Sequence, residues 1–534
     1  MTAWADHLLV APIVVPMMAG AAMVLAGNAR PSLLAGLGLV STVLLLVLSA
    51  TLLVLADAPE VRIYRLGNWP ASFGIVLALD RLSAIMVALT SVLGFAAFVF
   101  SLARWHRAGT HFHPLFQFQL MGLNGAFLTG DLFNLFVFFE VMLAASYGMT
   151  LHGSGVARVR AGLHYIVINL LASLLFLIGV SVVYGIAGTL NMADLAARMQ
   201  AVAAEDRALL EAGLAVLGIA FLVKAAAWPL GFWLQGTYAA ASAPAAAALS
   251  ILSKVGIYAV LRVWLLLFGT GAGASAGFGT LPLTLIGLLT IAFGSVAVLA
   301  SQNLARLAGA SVLISSGTLL AAIGMNRAAV TGGALLYLMG SVLAIGALFL
   351  LVELVERGRD IGADVLAVTR EAFGAGEDEE DGEPGERDAV GVPIPATVAT
   401  LGGSFLACAL LIAGLPPLSG FLAKFAILAP LFTPGGGLPS ALAWVVMAAL
   451  ILSGLATAIA MMRTGIDAFW ASPAGTPQRV SVLEFMPVAL LLTLCVALTV
   501  AAGPALDYAT AAANALYAPA DYLRPVLKAA EAAR

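Results

Sequence analysis

The sequence predicts an all-α polytopic membrane protein with about fourteen transmembrane helices. Of its 534 residues, 62% are hydrophobic and 10% are charged, and the mean hydropathy is +1.04. Soluble chains carry about 25% charged residues, and no soluble fold could hide this much apolar surface from water. We therefore expect lipid to be the solvent around most of the chain.

Apolar runs of membrane-spanning length, about 20 residues, recur along the whole chain. We expect spans at residues 8–27, 32–56, 78–102, 112–129, 131–151, 159–187, 208–228, 243–269, 278–300, 304–325, 329–356, 394–432, 438–464 and 482–503. The stretch 394–432 is too long for one straight span, and Pro416 and Pro417 interrupt it. The helix that ends near Lys224 runs into Pro229 and should break as well. Two broken helices suggest two related halves that meet at an internal site.

The remaining segments indicate little chemistry of their own. The insert 371–390 is acidic and rich in Gly and Pro, which predicts a disordered loop. Residues 504–534 predict an amphipathic tail at the membrane surface or against a partner. Cys408 and Cys495 stand in separate apolar runs, as packing residues do. The net charge of −3, without a basic cluster, gives no indication of nucleic-acid binding.

Lysines are distributed unlike arginines in this sequence. Three of the four lysines, Lys224, Lys254 and Lys424, fall inside expected spans, whereas nearly every cation in the loops is an arginine. A charge at mid-bilayer costs about 2.5–3.5 kcal/mol on the insertion scale. Burial disfavours a charged ammonium group, so a buried lysine can release its proton, whereas arginine keeps its proton in proteins. The three lysines therefore predict a path for protons.

Glu140 is the acidic counterpart of these lysines. It lies in GDLFNLFVFFEVMLAASYG (130–148), about two and a half turns into its helix. If Glu140 and Lys224 approach each other, each favours the ionised form of the other. A structural salt bridge between helices is the alternative interpretation. Asp131 stands at a helix start and predicts a cap, and Ser315, Ser316 and Ser341 could hold ordered water or simply pack.

Three blocks of sequence resemble one family. The block at 130–148 resembles the fifth-helix signature of the D subunits of Mrp-type multisubunit sodium/proton antiporters. The block KAAAWPLGFWLQGTYAAASAPAAAALSILSKVGIYAVLR (224–262) resembles the next block of that family, a lysine helix followed by a second lysine before Gly-Ile-Tyr. The block GLPPLSGFLAK (414–424) resembles its broken twelfth helix with its lysine. The match extends over nearly the whole chain in order and in number of spans.

The resemblance implies a fourteen-helix antiporter-like fold with two inverted five-helix repeats, whose helices seven and twelve are broken. It divides the chain into N-terminal helices 1–3, a first repeat of helices 4–8, a second repeat of helices 9–13 that includes the acidic insert, and helix 14 with the C-terminal tail, at residues 1–110, 111–275, 276–464 and 465–534. It assigns Glu140 and Lys224 as the coupled pair, Lys254 as the central relay and Lys424 as the terminal group. Relatives often carry a histidine where Gly340 stands, so this chain must link Lys254 to Lys424 through water, serines or another group.

The function that follows from the resemblance is a secondary transporter subunit rather than an enzyme. It would translocate protons, contain no cofactor or metal, and lie in the bacterial inner (plasma) membrane as a multi-pass protein. Its partners would be the other subunits of the antiporter complex, protons, Na⁺ or another monovalent cation, and the lipid bilayer. The alternatives are a proton-pumping membrane-arm subunit of a complex I-like or hydrogenase-linked redox complex, and a scaffold whose charges only lock helices together.

Overall fold

The computed structural model describes residues 6–27, 30–58, 61–69, 74–109, 111–269, 271–357, 396–432, 440–469 and 480–531. The acidic insert 371–390, for which the sequence predicts a disordered loop, lies outside these residues. Within them the chain is a bundle of helices, as the composition predicts. Eleven helices are long and apolar enough to cross a membrane, and two further apolar helices are shorter. The expected number of about fourteen spans stays a prediction.

The first part of the bundle ends at Lys224. Its helices are α1 (Ala11–Ala26), α2 (Pro31–Leu55), α3 (Arg81–Ala103), α4 (Phe112–Leu128), α5 (Leu132–Leu151), α6 (Val156–Ala187), the short α7 (Met192–Arg198) and α8 (Ala204–Lys224).

The second part begins with four short pieces of helix and continues with long ones. These are α9 (Phe232–Ala240), α10 (Ala243–Leu249), α11 (Leu252–Ala259), α12 (Leu265–Phe268), α13 (Thr280–Ala300), α14 (Leu304–Gly324), α15 (Ala328–Glu356), α16 (Ala396–Ala413), α17 (Ser419–Phe432), α18 (Ala441–Phe469), α19 (Val482–Val500), α20 (Ala502–Tyr517) and α21 (Ala520–Glu531).

Both helix breaks that the sequence predicts are confirmed. Helix α8 ends at Lys224 and α9 begins only at Phe232, because Pro229 cannot continue the backbone hydrogen bonds of a helix. Helix α16 ends at Ala413 and α17 begins at Ser419, with the two prolines between them. Each break leaves backbone carbonyl groups that need partners inside the protein.

The expected span 243–269 is interrupted, which the sequence analysis did not predict. A turn at Ser250 separates α10 from α11, and a π-helical turn at Val260–Trp264 separates α11 from α12. The Ser250 hydroxyl donates to the Ala247 carbonyl at 2.7 Å, and the Ser253 hydroxyl donates to the Ser250 carbonyl at 3.4 Å. Such side-chain bonds compete with the regular helical hydrogen bonds and loosen them locally.

A two-stranded hairpin, also not predicted, lies between α2 and α3. Strand β1 (Arg62–Arg65) pairs antiparallel with β2 (Val76–Leu79). The carbonyl of Val76 accepts from the Gly130 amide at 2.8 Å, which ties the hairpin to the segment between α4 and α5. The hairpin therefore depends on tertiary contacts rather than on a strong local pattern.

Helices α14 and α15 form the centre of the bundle, and α13 packs on α14 through small residues. If Gly287 carried a side chain, its Cβ atom would collide with the backbone of Ala321. A Cβ atom added to Gly317 would lie 2.7 Å from the Ile291 amide nitrogen. Small residues let membrane helices approach in this way. The most apolar window of α14 is 100% buried and that of α15 is 94% buried, so polar groups on these two helices face protein rather than lipid.

The C-terminal segment packs on its own chain, and the expectation of a tail at the membrane surface or against a partner stays a prediction. Helix α20 packs on α15 of its own chain, where the Tyr517 and Thr331 hydroxyls lie 3.1 Å apart. Helix α21 packs beside α7, and its Tyr522 is buried. The apolar side chains of α20 and α21 therefore pack against other helices of the same chain.

Candidate functional site

Helix α5 places Glu140 at the edge of the bundle. Asp131 caps this helix by accepting from the Asn134 amide at 2.9 Å, as its position in the sequence predicts. Glu140 is half-buried, and its carboxylate accepts a hydrogen bond from the Ser173 hydroxyl of α6. The same face of α5 carries the exposed side chains of Phe133 and Val137. The carboxylate is thus bound by the protein on one side and reaches the perimeter on the other.

Lys224 lies at the end of α8, immediately before the break. Its side chain is buried, and Nζ lies 5.1 Å from the centre of the Phe139 ring, within the range of a cation–π contact. Lys224 also lines a small cavity of about 10 Å³ with Tyr165 and Asn169, which is roughly the space that one water molecule needs.

Glu140 and Lys224 are neighbours that do not touch. The described residues form five salt bridges, and none joins these two side chains. The Phe139 ring, whose centre lies 5.1 Å from Lys224 Nζ, belongs to the residue before Glu140, so the two charged groups are close in space. The geometry therefore brings the two groups into electrostatic contact and leaves them free of a direct ion pair.

Lys254 lies deeper, on α11, with only 1% of its surface exposed. Its Nζ donates to the Ser316 hydroxyl of α14 at 3.2 Å. A Cβ at Gly256 would collide with the backbone of Ala225, so α11 lies directly against the end of α8. This contact brings the helix segments that carry Lys224 and Lys254 together.

Lys424 occupies the second helix break. From α17 its Nζ donates to the Ala413 carbonyl at 2.7 Å, a group that the end of α16 leaves without a helical partner. Gly414, with φ of +75°, and Gly454 leave room for the lysine, because a Cβ at either position would lie within 3.2 Å of its side chain. Lys424 therefore supplies both a charge at this break and the hydrogen-bond donor for the Ala413 carbonyl.

Hydroxyl groups of α14 and α15 lie next to Lys254 and between these two helices. Helix α14 presents Ser316 to Lys254 and Ser315 to α15, where the Ser315 hydroxyl donates to the Ser341 hydroxyl at 3.0 Å. The Tyr337 side chain of α15 lies beside Ser315 and Thr318. The three serines could be named from the sequence, whereas Tyr337 and Thr318 were not predicted. A tyrosine in an otherwise apolar predicted span, residues 329–356, was the available signal.

Comparisons with known proteins decide the family. The family model described as NADH:quinone oxidoreductase/Mrp antiporter, TM, matches residues 129–369. A protein of Rhizobium meliloti, named as the D subunit of a probable K(+)/H(+) antiporter, is 56% identical over 541 residues, with 100% of this chain and 99% of the relative covered. The chain belongs to the family of antiporter D subunits.

Further members of the family agree over the full length. The D subunit of the Na(+)/H(+) antiporter of Alkalihalophilus pseudofirmus is 32% identical, with 98% of this chain and 100% of the relative covered. A chain in the structure of the Mrp complex from a Dietzia species superposes with a TM-score of 0.82 at 23% identity, covering 99% of this chain and 100% of that one. The family fold therefore extends over the whole chain.

Proposed function

We propose that this chain is the proton-translocating subunit of a multisubunit monovalent cation/proton antiporter in the bacterial plasma membrane. Glu140, Lys224, Lys254 and Lys424 would carry protons, and the other subunits would complete the cation path. One relative is named for K⁺ and another for Na⁺, so both cations are candidates for the exchange. Lysine side chains repel cations, which is why we assign protons to this chain.

The observation that carries the proposal is the set of partners around the buried lysines. Lys224 faces an aromatic ring, Lys254 a serine hydroxyl and Lys424 a backbone carbonyl. None of these partners is a carboxylate that would fix a permanent charge. A lysine in such surroundings can alternate between its charged and neutral forms, as proton transfer requires.

The order of groups along the bundle suggests how protons move. A proton that reaches Glu140 from the perimeter weakens the attraction between Glu140 and Lys224. The Lys224 proton is then free to pass towards Lys254, whose helix lies against the end of α8. Lys254 passes a proton across α14 towards Lys424 at the second break. Each transfer changes the charge seen by the next group, which couples the steps.

Removing either end of the coupled pair tests this proposal. We expect Glu140→Ala or Lys224→Ala, in membrane vesicles that contain the whole complex, to lower antiport on the order of 10²-fold, the lower range for a positioned proton-transfer group. Antiport is measured as the collapse of a pH gradient when Na⁺ or K⁺ is added. Glu205→Ala is the matched control, because Glu205 is exposed on the first turn of α8.

The amount of assembled complex in the vesicles must be equal for all variants. Full antiport by an assembled Glu140→Ala or Lys224→Ala complex would reject the proton path and favour the scaffold alternative. The redox-pump alternative makes a different prediction, since the purified complex would then contain iron–sulfur subunits. An absorption spectrum of the purified complex separates that alternative from an antiporter.

A further inference from the structure

Tyr337 lies where three helices meet between the buried lysines. A Cβ at Gly333 would collide with the backbone of Ala426, and one at Gly340 would lie 3.5 Å from the Ser419 hydroxyl. Gly333 and Gly340 are therefore two of the points at which α15 contacts α17. Tyr337 is four residues from one contact and three from the other, so it lies on the same face of α15.

The order in which residues of α15 meet residues of α17 places Tyr337 at nearly the same level as Lys424. Residue 333 faces residue 426 and residue 340 faces residue 419, so α15 and α17 run antiparallel. Tyr337 lies between residues 333 and 340 of α15, so it faces a position between residues 419 and 426 of α17. That position is within one helical turn of Lys424. On its other side Tyr337 adjoins Ser315 and Thr318 of α14. It bridges the helix next to Lys254 and the helix that carries Lys424.

Two hydroxyl groups at this junction lack a well-formed hydrogen bond to protein. Thr318 Oγ1 and Ser419 Oγ are buried and make no hydrogen bond of normal geometry among the described residues, and the two residues are 1% and 3% exposed. A buried hydroxyl without such a bond is costly, and native proteins satisfy these groups with ordered water. One of the two hydroxyls flanks Tyr337 on the α14 side and the other lies on the α17 side.

We propose that Tyr337, together with water bound by Thr318 and Ser419, is the proton-transferring link between Lys254 and Lys424. This proposal rests on the proposed proton path. The Lys254 ammonium gives a proton to the hydroxyl chain that begins at Ser316. Each hydroxyl or water accepts one proton and releases its own to the next. Lys254 therefore ends as the neutral amine, Lys424 changes from the neutral amine to the ammonium ion, and the groups between them are unchanged. Tyr337 supplies the hydroxyl at the crossing from α14 to α17.

Tyr337→Phe in the whole complex tests the link, because the ring and its packing stay and only the hydroxyl is lost. We expect assembly to be normal and antiport to fall about 100-fold, the lower end of the contribution of a positioned proton-transfer group. The matched control is Tyr517→Phe, which removes a hydroxyl that contacts the same helix α15 at Thr331, away from the lysines. The control should keep wild-type antiport.

Two further variants separate proton transfer from packing. Tyr337→His restores a group that can carry a proton in a smaller ring, and we expect it to recover at least about a tenth of the lost rate. Ser419→Ala removes a hydroxyl without a hydrogen-bond partner in the described part of the chain, so a purely structural site should tolerate it fully. We expect instead a severalfold loss of antiport in a normally assembled complex.

The outcomes distinguish this proposal from the proton path on which it rests. If Glu140→Ala abolishes antiport while Tyr337→Phe and Ser419→Ala keep it, the link is wrong and the path stands. If Glu140→Ala also keeps antiport, both are wrong. If Tyr337→Phe and Tyr337→His are equally inactive, the hydroxyl only positions its neighbours and the proton-transfer role is rejected. If Tyr337→Phe does not assemble, the result with Ser419→Ala decides.

Discussion

Buried cations of two kinds occupy different environments in this protein. Arg262 is 3% exposed and makes two hydrogen bonds to the Asp80 carboxylate, at 2.6 and 2.7 Å. The buried lysines face neutral groups instead, as Lys254 does at Ser316. An arginine with a carboxylate is a permanent ion pair, because arginine does not lose its proton. Arginine thus supplies a fixed structural charge, and lysine supplies a charge that proton transfer can remove.

This difference predicts the effect of exchanging one cation for the other. We expect Lys254→Arg to preserve a buried positive charge but to lower antiport about 100-fold, because arginine cannot release its proton. Lys254→Met, which removes the charge with a similar volume, should be equally inactive. Antiport by purified complex in proteoliposomes is the measurement. An assembled Lys254→Arg complex that keeps more than half of the wild-type rate would show that charge alone suffices there.

The helix breaks are the elements that position the site. Lys224 lies at the end of α8, immediately before the first break, and Lys424 donates to a carbonyl at the second. The π-helical turn at Val260–Trp264 carries Arg262, and the ion pair with Asp80 ties this turn to the start of α3. The helix that bears Lys254 is therefore anchored at its far end by that ion pair.

The anchoring ion pair makes a prediction about stability. Asp80→Asn leaves Arg262 buried without a charged partner, which should cost about 3–5 kcal/mol. The neighbouring pair of Arg81 and Asp57 is the matched control, because Asp57 is 65% exposed and Asp57→Asn should cost less than about 1 kcal/mol. Thermal unfolding of the purified protein in detergent micelles compares the two. Equal unfolding midpoints for both variants would mean that the buried pair does not anchor the helix.

The sequence predicts some elements much better than others, for physical reasons. Pro229 and the pair Pro416–Pro417 are strong local signals, and both breaks lie where they indicate. The turn at Ser250 and the hairpin of β1 and β2 depend on side-chain and tertiary hydrogen bonds, which leave no local pattern.

The same difference separates the residues of the candidate site. Glu140 and the buried lysines stand out because charges are rare in apolar helices. Tyr337, Thr318 and Ser419 do not stand out, since hydroxyls are common in membrane helices, and only the packing of α14, α15 and α17 shows that they converge.

On the scale of the whole molecule, two cavities with charged side chains in their walls lie at opposite ends of helix α3. One, of about 380 Å³, is lined by Asp80 and Arg262 at the start of α3. The other, of about 320 Å³, is lined by Arg104 and Glu353 at the end of that helix. Helix α3 has 23 residues and is about 34 Å long at 1.5 Å per residue. The bundle therefore has one such cavity at each end of a helix of membrane-spanning length.

The division into two inverted repeats remains a prediction at this scale. The two broken helices agree with it, because each carries or adjoins one lysine of the candidate path. The likeness to antiporter D subunits extends over the full length of the chain, so the fold of the second half does not rest on local sequence signals alone.

The central claim is that protons cross this subunit through the buried glutamate and lysines and that this movement drives cation exchange. Its most direct test records proton flux and cation flux at the same time, in proteoliposomes that contain the whole complex with Lys424→Met. Because Lys424 is the terminal group of the proposed path, we expect both fluxes to fall together, about 100-fold, with Na⁺ and with K⁺. Proton flux at the wild-type rate in the assembled variant would contradict the account.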